Sequence, residues 1–266
     1  MRANQVNASE GVRWLAESFR VLRAAPLQLM LLHLALLFTA AFMLSIPSIG
    51  FAVFWLLTPA VMVGPHAAAR AAAGGARPEF ALMVQGFRVA FPALLRLGAL
   101  LLVALCAALG ATALADDGKL FRAMVGIERL RMEDLFQPEL HRALLVWAVL
   151  QTTVVAILWY APLLVAWNGV PAVKSVFFSA AAIILNWRAM LAFSGVLTLA
   201  LLIVSLLALA AASLVARSEA ARISTATFAA TWTFLPILFA ASWRSYEAIF
   251  GEARPAGRGD TGAEAD

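Results

Sequence analysis

The sequence predicts an all-α fold: a polytopic integral membrane helix bundle with about six transmembrane helices and short interfacial helices between them. Three observations lead there. Hydrophobic residues make up 63% of the 266-residue chain and charged residues 13%, against roughly half and a quarter in soluble domains. The mean hydropathy of +0.88 reflects more apolar surface than one soluble core can hide. The apolar residues also gather into runs long enough to cross about 30 Å of hydrocarbon, separated by short polar connections.

Residues 1–25 read as an N-terminal interfacial amphipathic helix. Asn7 can cap it, and Glu10 three residues on completes a capping-box spacing. Val12, Leu15, Phe19 and Leu22 recur on one face, with Glu10, Arg13, Glu17 and Arg20 opposite. That layout suits the plane of the membrane interface. The transmembrane domain takes residues 26–250. Its first span, from about Leu27 to Ile46, reads as a retained span rather than a cleaved leader. Pro47-Ser48-Ile49-Gly50 gives a tight turn.

Span two covers about Phe51 to Ala69, with Pro59 expected to kink it. Arg70 to Arg77 is a polar loop. Pro78 to Phe91 is too polar to span and reads as an interfacial helix started by Pro78 and Glu79. Span three runs from about Pro92 to Ala115. Asp116 to Pro138 is the sizeable hydrophilic connection; its charge is nearly balanced, and Phe121, Met124, Val125 and Leu130 suggest short helices over the outer face of the bundle. Span four runs from about Leu144 to Trp167, with Pro162 near its end. In 171–185 the uninterrupted apolar run Val176 to Leu185 is too short to cross, so this segment is interfacial or partly inserted. Span five is about Ala189 to Ala216 and span six about Ser224 to Phe250, with Pro236 inside. Residues 251–266 have the composition of a disordered cytoplasmic tail, and Arg258-Gly259-Asp260 within it is a chance match to an adhesion motif.

Orientation follows from Lys and Arg. With the N-terminus inside, thirteen of them fall on the cytoplasmic side and seven on the other, most of the seven in the long connection where the bias counts least. Trp14, Trp167, Trp187 and Trp243 fall at the same cytoplasmic boundary, as an aromatic belt would. Both termini are therefore expected in the cytoplasm.

Two stretches, 51–115 and 144–216, share a weak repeat. Pro59-Ala60-Val61-Met62-Val63 is followed by a loop, Pro78, a short helix and Arg96 opening a span. Pro162-Leu163-Leu164-Val165-Ala166 is followed by a loop, Pro171, a short helix and Arg188 opening a span. Halves related this way would share an axis along the membrane normal.

The stretch Ala161-Pro162-Leu163-Leu164-Val165-Ala166-Trp167-Asn168-Gly169-Val170-Pro171, followed by Asn186-Trp187-Arg188, resembles an uncharacterised family of proteobacterial six-helix inner-membrane proteins. So does Gly11-Val12-Arg13-Trp14-Leu15 ahead of Ile46-Pro47-Ser48-Ile49-Gly50. More remotely, the unit of span, loop, short helix and span resembles the membrane domain attached to some glycerophosphodiester phosphodiesterases. No phosphodiesterase domain accompanies it here, so the resemblance implies fold and a multi-pass inner-membrane location, not an activity.

Reactive constellations are scarce. Paired carboxylates do not occur in the spans, and neither H-E-x-x-H nor a phosphate-cradling Gly-Lys-Ser/Thr loop occurs. Cys106 stands alone, which excludes an intramolecular disulfide and a cysteine metal cluster. No cofactor or metal is expected. The net charge of +5 marks span ends rather than a nucleic-acid surface. Apart from Glu247 at the end of span six, acidic residues are missing from the spans, against the usual pattern of ion-coupled transport.

His33, inside span one, and Gln151 with Thr152 in span four are the candidate intramembrane polar residues. Each reads first as a hydrogen-bonded packing group, with Thr39, Thr58 and Thr153 bonding between helices. Arg96, Arg188 and nearby Lys174 are the candidate basic site for anionic lipid head groups; the alternative is that they snorkel and anchor the spans. The function class these residues favour is a non-enzymatic membrane protein, lipid-interacting or structural, ahead of a small transporter or channel-like protein. Membrane lipids are the expected partners.

Overall fold

The structure is a computed structural model and describes residues 3–46, 49–216 and 218–251. Among them there are helices and no strands. Six stretches are long and apolar enough to cross a membrane: Pro26–Leu44, Gly50–Ala73, Phe91–Asp116, Pro138–Asn168, Trp187–Val215 and Glu219–Phe250. The expected helix bundle is therefore what the chain forms. The turn at Pro47-Ser48 and the tail from 252 onward, with its Arg-Gly-Asp, lie outside the described residues.

Helix α1 (Ala8–Ala24) precedes α2 (Pro26–Leu44) and α3 (Gly50–Ala73). Span two was expected to stop at Ala69, but α3 carries on to Ala73. Alanine is the best helix former, and the run from Ala67 is alanine at all but one position. The segment after Pro78 is not one interfacial helix. It is a 3-10 turn, Phe80–Val84, joined to α4 (Gln85–Val89), and both pack on α3. A Cβ on Gly86 would lie 2.1 Å from Ala60 O, and one on Gly64 2.6 Å from Met83 Cα. Only glycine lets the two backbones meet that closely.

Helix α5 (Phe91–Ala111) and the turn α6 (Ala113–Asp116) form the third crossing. The hydrophilic connection folds into α7 (Lys119–Met124) and a 3-10 turn at Met132–Phe136. It packs against the end of the bundle where α5 and α8 meet: Leu120 is buried with Leu105, Leu109, Leu140 and Trp147. The Asp116 carboxylate accepts the N–H of Leu120 at 2.7 Å, and Lys119 Nζ pairs with Asp134 at 2.5 Å.

The fourth crossing is broken. Helix α8 (Pro138–Ile157) ends at Leu158, and α9 (Ala161–Asn168) begins at Tyr160 with Pro162 in its first turn. Helix α10 (Ala172–Leu185) then leads to α11 (Trp187–Val215) and α12 (Glu219–Phe250). The buried face of α10 is small: Ala172, Ser175, Ser179 and Ala182. Its other flank exposes Val173, Phe177 and Ile184, each about 70% accessible, which suits lipid.

Helix α1 departs most from its sequence reading. Asn7 makes no side-chain cap, and Glu10 pairs with Arg13 instead. The face that docks is neither the aliphatic nor the charged one but Gly11, Trp14, Ser18 and Val21, set against α11, α12 and α3. Trp14 is 1% exposed and packs edge-on to Phe193. Trp243 is also buried, so these two tryptophans are core residues rather than a belt. Val12 and Phe19 remain exposed between the docked and charged faces.

The N-terminal segment, the end of α12 and the α10–α11 joint meet at one end of the bundle. Asn4 donates its backbone N–H to Ile249 O at 2.8 Å. The Asn186 side chain accepts from Val6 N at 2.8 Å and donates to Asn4 O at 3.0 Å.

Two outcomes follow. A Cβ on Gly11 would sit 2.2 Å from Ala189 O and 2.7 Å from Phe193 N, both backbone atoms. Gly11→Ala should cost about 1–3 kcal/mol, read as a lower thermal midpoint in detergent, whereas Ala16→Ser on the exposed side of α1 should not move it. An unchanged midpoint for Gly11→Ala would mean that α1 is not seated on α11. The second concerns acid. The hydrogen bond from Lys119, helped by the Arg131 N–H, holds the Asp134 carboxyl below the usual carboxylate range. A depressed folded pKa stabilises fully above the unfolded value, near pH 4, and is lost as pH falls through the folded value. Amides of 116–137 should therefore exchange faster at pH 3 than at pH 6 after correction for intrinsic rates, and Lys119→Met should flatten that contrast.

Candidate functional site

The central feature is a cavity of about 390 Å³ bounded by α3, α5, α8, α9 and α12. Its walls are apolar and aromatic, including Phe54, Trp55, Trp159 and Phe239. Pro59 and Pro162, the two prolines of the weak repeat, both line it. Behind them Ala60, Val63, Val165 and Ala166 share one packed cluster with Leu94 and Leu97. Helix α5 is held against α3 by glycine, since a Cβ on Gly98 would fall 1.9 Å from Leu56 O.

The polar groups of the cavity are few. His66 Nδ1 lies 2.7 Å from Met62 O, and His66 Nε2 lies 3.0 Å from Ser242 Oγ. His66 and Ser242 are 5% and 3% exposed. Gln151 lines the cavity from α8 and makes no side-chain hydrogen bond among the described residues. Thr58 turns its hydroxyl back to Phe54 O at 2.7 Å.

His33 is fully buried in α2, as expected of a packing histidine. Its Nδ1 lies 2.7 Å from Leu29 O, and its Nε2 has no partner among the described residues. Phe239 stands between the two imidazoles, with ring centroids 5.4 Å from His33 and 5.0 Å from His66. His66 lies three residues before the expected end of span two, where the sequence suggests no role for it; with α3 running on to Ala73 it sits well inside the helix. A signal was present: His66 follows Pro59, and Ser242 follows Leu235, by seven residues, so each pair shares one helix face.

The expected threonine bonds between helices do not form. Thr39, Thr58 and Thr153 each donate to the carbonyl four residues back in their own helix, which satisfies the hydroxyl without a neighbour. Thr152 is exposed and lines, with Gln151, a shallow cleft between α8 and α11.

The basic residues lie elsewhere. Arg96, Lys174 and Arg188 are all exposed, and none forms an ion pair among the described residues. Arg188 stacks 5.3 Å over Trp187 and lines a polar cleft of about 550 Å³ with Gln5, Asn7 and Asn186. Arg96 and Lys174 do not line that cleft. Among the described residues no three His, Cys, Asp or Glu side chains gather as metal ligands.

No family model matches the chain, and no solved structure does. The likeness to phosphodiesterase membrane domains therefore stays a resemblance. A curated protein of Burkholderia thailandensis, named a probable inner membrane protein, is 34% identical over 194 residues, 71% of each chain. Identity of that extent, together with six helices able to cross a membrane, makes the chain a multi-pass protein of the inner membrane that belongs to the same uncharacterised inner-membrane family as this relative.

Proposed function

We propose that the protein binds a membrane lipid, or another apolar membrane molecule, without transforming it chemically, and serves as a lipid-interacting component of the inner membrane. The cavity between α3, α8, α9 and α12 carries this reading. It is of ligand size, about 390 Å³ against roughly 300–1,000 Å³ for typical sites. Aliphatic and aromatic side chains make most of its wall, and only a few polar groups converge on it. Water gains little in such a space, whereas an apolar chain exchanges bilayer for protein at low cost.

The His66–Ser242 pair invites an enzymatic reading, since a serine beside a histidine can act as a nucleophile. Ser242 sits inside α12, about two turns before its end, where the helix consumes its own backbone N–H groups. A tetrahedral intermediate formed there would find no backbone pair to hold its oxyanion. Binding fits the site better than acyl transfer.

The distribution of Lys and Arg supports termini in the cytoplasm. With that orientation Arg96, Lys174 and Arg188, at or near the cytoplasmic ends of their segments, suit the leaflet where anionic head groups gather. A small transporter or channel-like protein is the second reading. One observation favours it: Gln151, Val155 and Trp159 line both the cavity and the α8–α11 cleft, so the two openings share one wall.

Native mass spectrometry of protein extracted in mild detergent tests the first reading. An apolar molecule should remain on the wild type and be lost from Val155→Trp, which fills the cavity, with the thermal midpoint retained. Arg96→Ala combined with Arg188→Ala should release anionic lipid but not the molecule in the cavity. Wild-type protein that carries nothing apolar would count against the proposal, and solute flux in proteoliposomes abolished by Val155→Trp would favour transport. Orientation is tested by maleimide labelling in a Cys106→Ser background. Lys174→Cys and Trp187→Cys, both exposed, should react from the cytoplasmic side, and reaction from opposite sides would overturn the six-span scheme.

A further inference from the structure

The hydrogen-bond inventory at the polar end of the cavity narrows the ligand, granted that the cavity binds one. A carbonyl oxygen can only accept, so the 2.7 Å contact with Met62 O puts the proton of His66 on Nδ1. A neutral ring then offers a bare lone pair at Nε2. The Ser242 hydroxyl, 3.0 Å away, must donate its single proton there.

That is unusual for a helical serine in this chain. Ser18, Ser175 and Ser245 donate to carbonyls three residues back in their own helices. Ser242 is turned away from its own helix by His66, across from α12 to α3. Its donor is spent, and its lone pairs accept nothing among the described residues. The wall around it is apolar, with Phe239, Met62 and Leu238 as neighbours in the lining. Unlike Ser18 and Ser175, Ser242 lines a cavity, so its free lone pairs are open to a donor on a ligand, and in hydrocarbon no bulk water competes for them.

We infer that the cavity takes an apolar molecule bearing a hydroxyl group, which donates to Ser242 Oγ, and that His66 is a positioning residue that fixes Ser242 as the acceptor. The ligand class is a long-chain or isoprenoid alcohol, or the hydroxyl of a quinol. An ether or a ketone of the same body has no proton to give and meets an oxygen lone pair head on.

The decisive comparison is farnesol against farnesyl methyl ether, which share the carbon skeleton and the oxygen but differ in the donor. Binding is read from the fluorescence of Trp55 and Trp159, both in the cavity wall, on intact protein in nanodiscs. Wild type should bind the alcohol about tenfold more tightly, the worth of one buried hydrogen bond. Ser242→Ala should bind both equally and keep the affinity for the ether. His66→Ala lets the Ser242 hydroxyl turn back to a carbonyl of its own helix, as Ser18, Ser175 and Ser245 do, so the preference for the alcohol should fall while the affinity for the ether holds, a split that a merely structural histidine would not produce.

Equal binding of alcohol and ether by the wild type would overturn the donor inference and leave the cavity as a binding site. The same holds if the preference survives in Ser242→Ala. Failure is different for the underlying reading: neither probe changes the fluorescence, and Val155→Trp changes nothing.

Discussion

In hydrocarbon a backbone amide released from its helix has no water to turn to, so any break in a span must be repaired from inside the protein. The fourth crossing breaks at Leu158–Tyr160, ahead of Pro162. The N–H of Tyr160 leaves the helical ladder and donates to Ser179 Oγ at 3.0 Å, from α10. The Tyr160 hydroxyl, fully buried, donates to Ser245 Oγ on α12 at 3.0 Å. One residue thus ties α9, α10 and α12 together. The same break separates the direction of α9 from that of α8, and both helices line the cavity, as does Pro162 itself. The short helix α10, unable to span, has its place because it supplies the missing acceptor.

Around that node the helices are held by close backbone contact more than by polar side chains. Gly11, Gly64, Gly86 and Gly98 each stand where a methyl group would enter a neighbouring backbone. Lipid tails are as apolar as leucine, so helices in a bilayer gain from shape rather than from dehydration. Polar ties across helices are few. Trp232 Nε1 donates to Met30 O at 2.8 Å, joining α12 to α2, and Arg244 pairs with Glu17 at 3.0 Å to lock α1 onto α12.

The spans and the short helices between them were legible because composition and run length are strong signals in a membrane protein. Their ends were less so. The alanine run after His66 looked polar through Arg70 and the following glycines, yet propensity carried the helix onward. The docking face of α1 was hidden for a related reason. A periodicity of Val12, Leu15, Phe19 and Leu22 is what a lipid-facing stripe looks like, and the face that meets protein is the smaller one built on Gly11 and Ser18. The candidate site was legible only in part. Gln151 stood out as an amide in an apolar run, whereas His66 and Ser242 lie 176 positions apart. Nothing in one sequence announces a partnership at that distance.

Helix α11 makes a contrast with the rest. Only 6% of its most apolar stretch is buried, and Leu199, Leu202, Leu206 and Leu207 point into open surface. A lipid neighbour has no fixed shape to match, so one aliphatic side chain serves there as well as another. At those lipid-facing positions, away from the side that meets α12, α11 can exchange leucine, isoleucine, valine and phenylalanine at little cost to the fold. Its first turns are not free, because Ala189 and Phe193 are pressed against α1. The helix answers to two standards: exact shape where it touches protein, and apolarity alone where it touches only membrane.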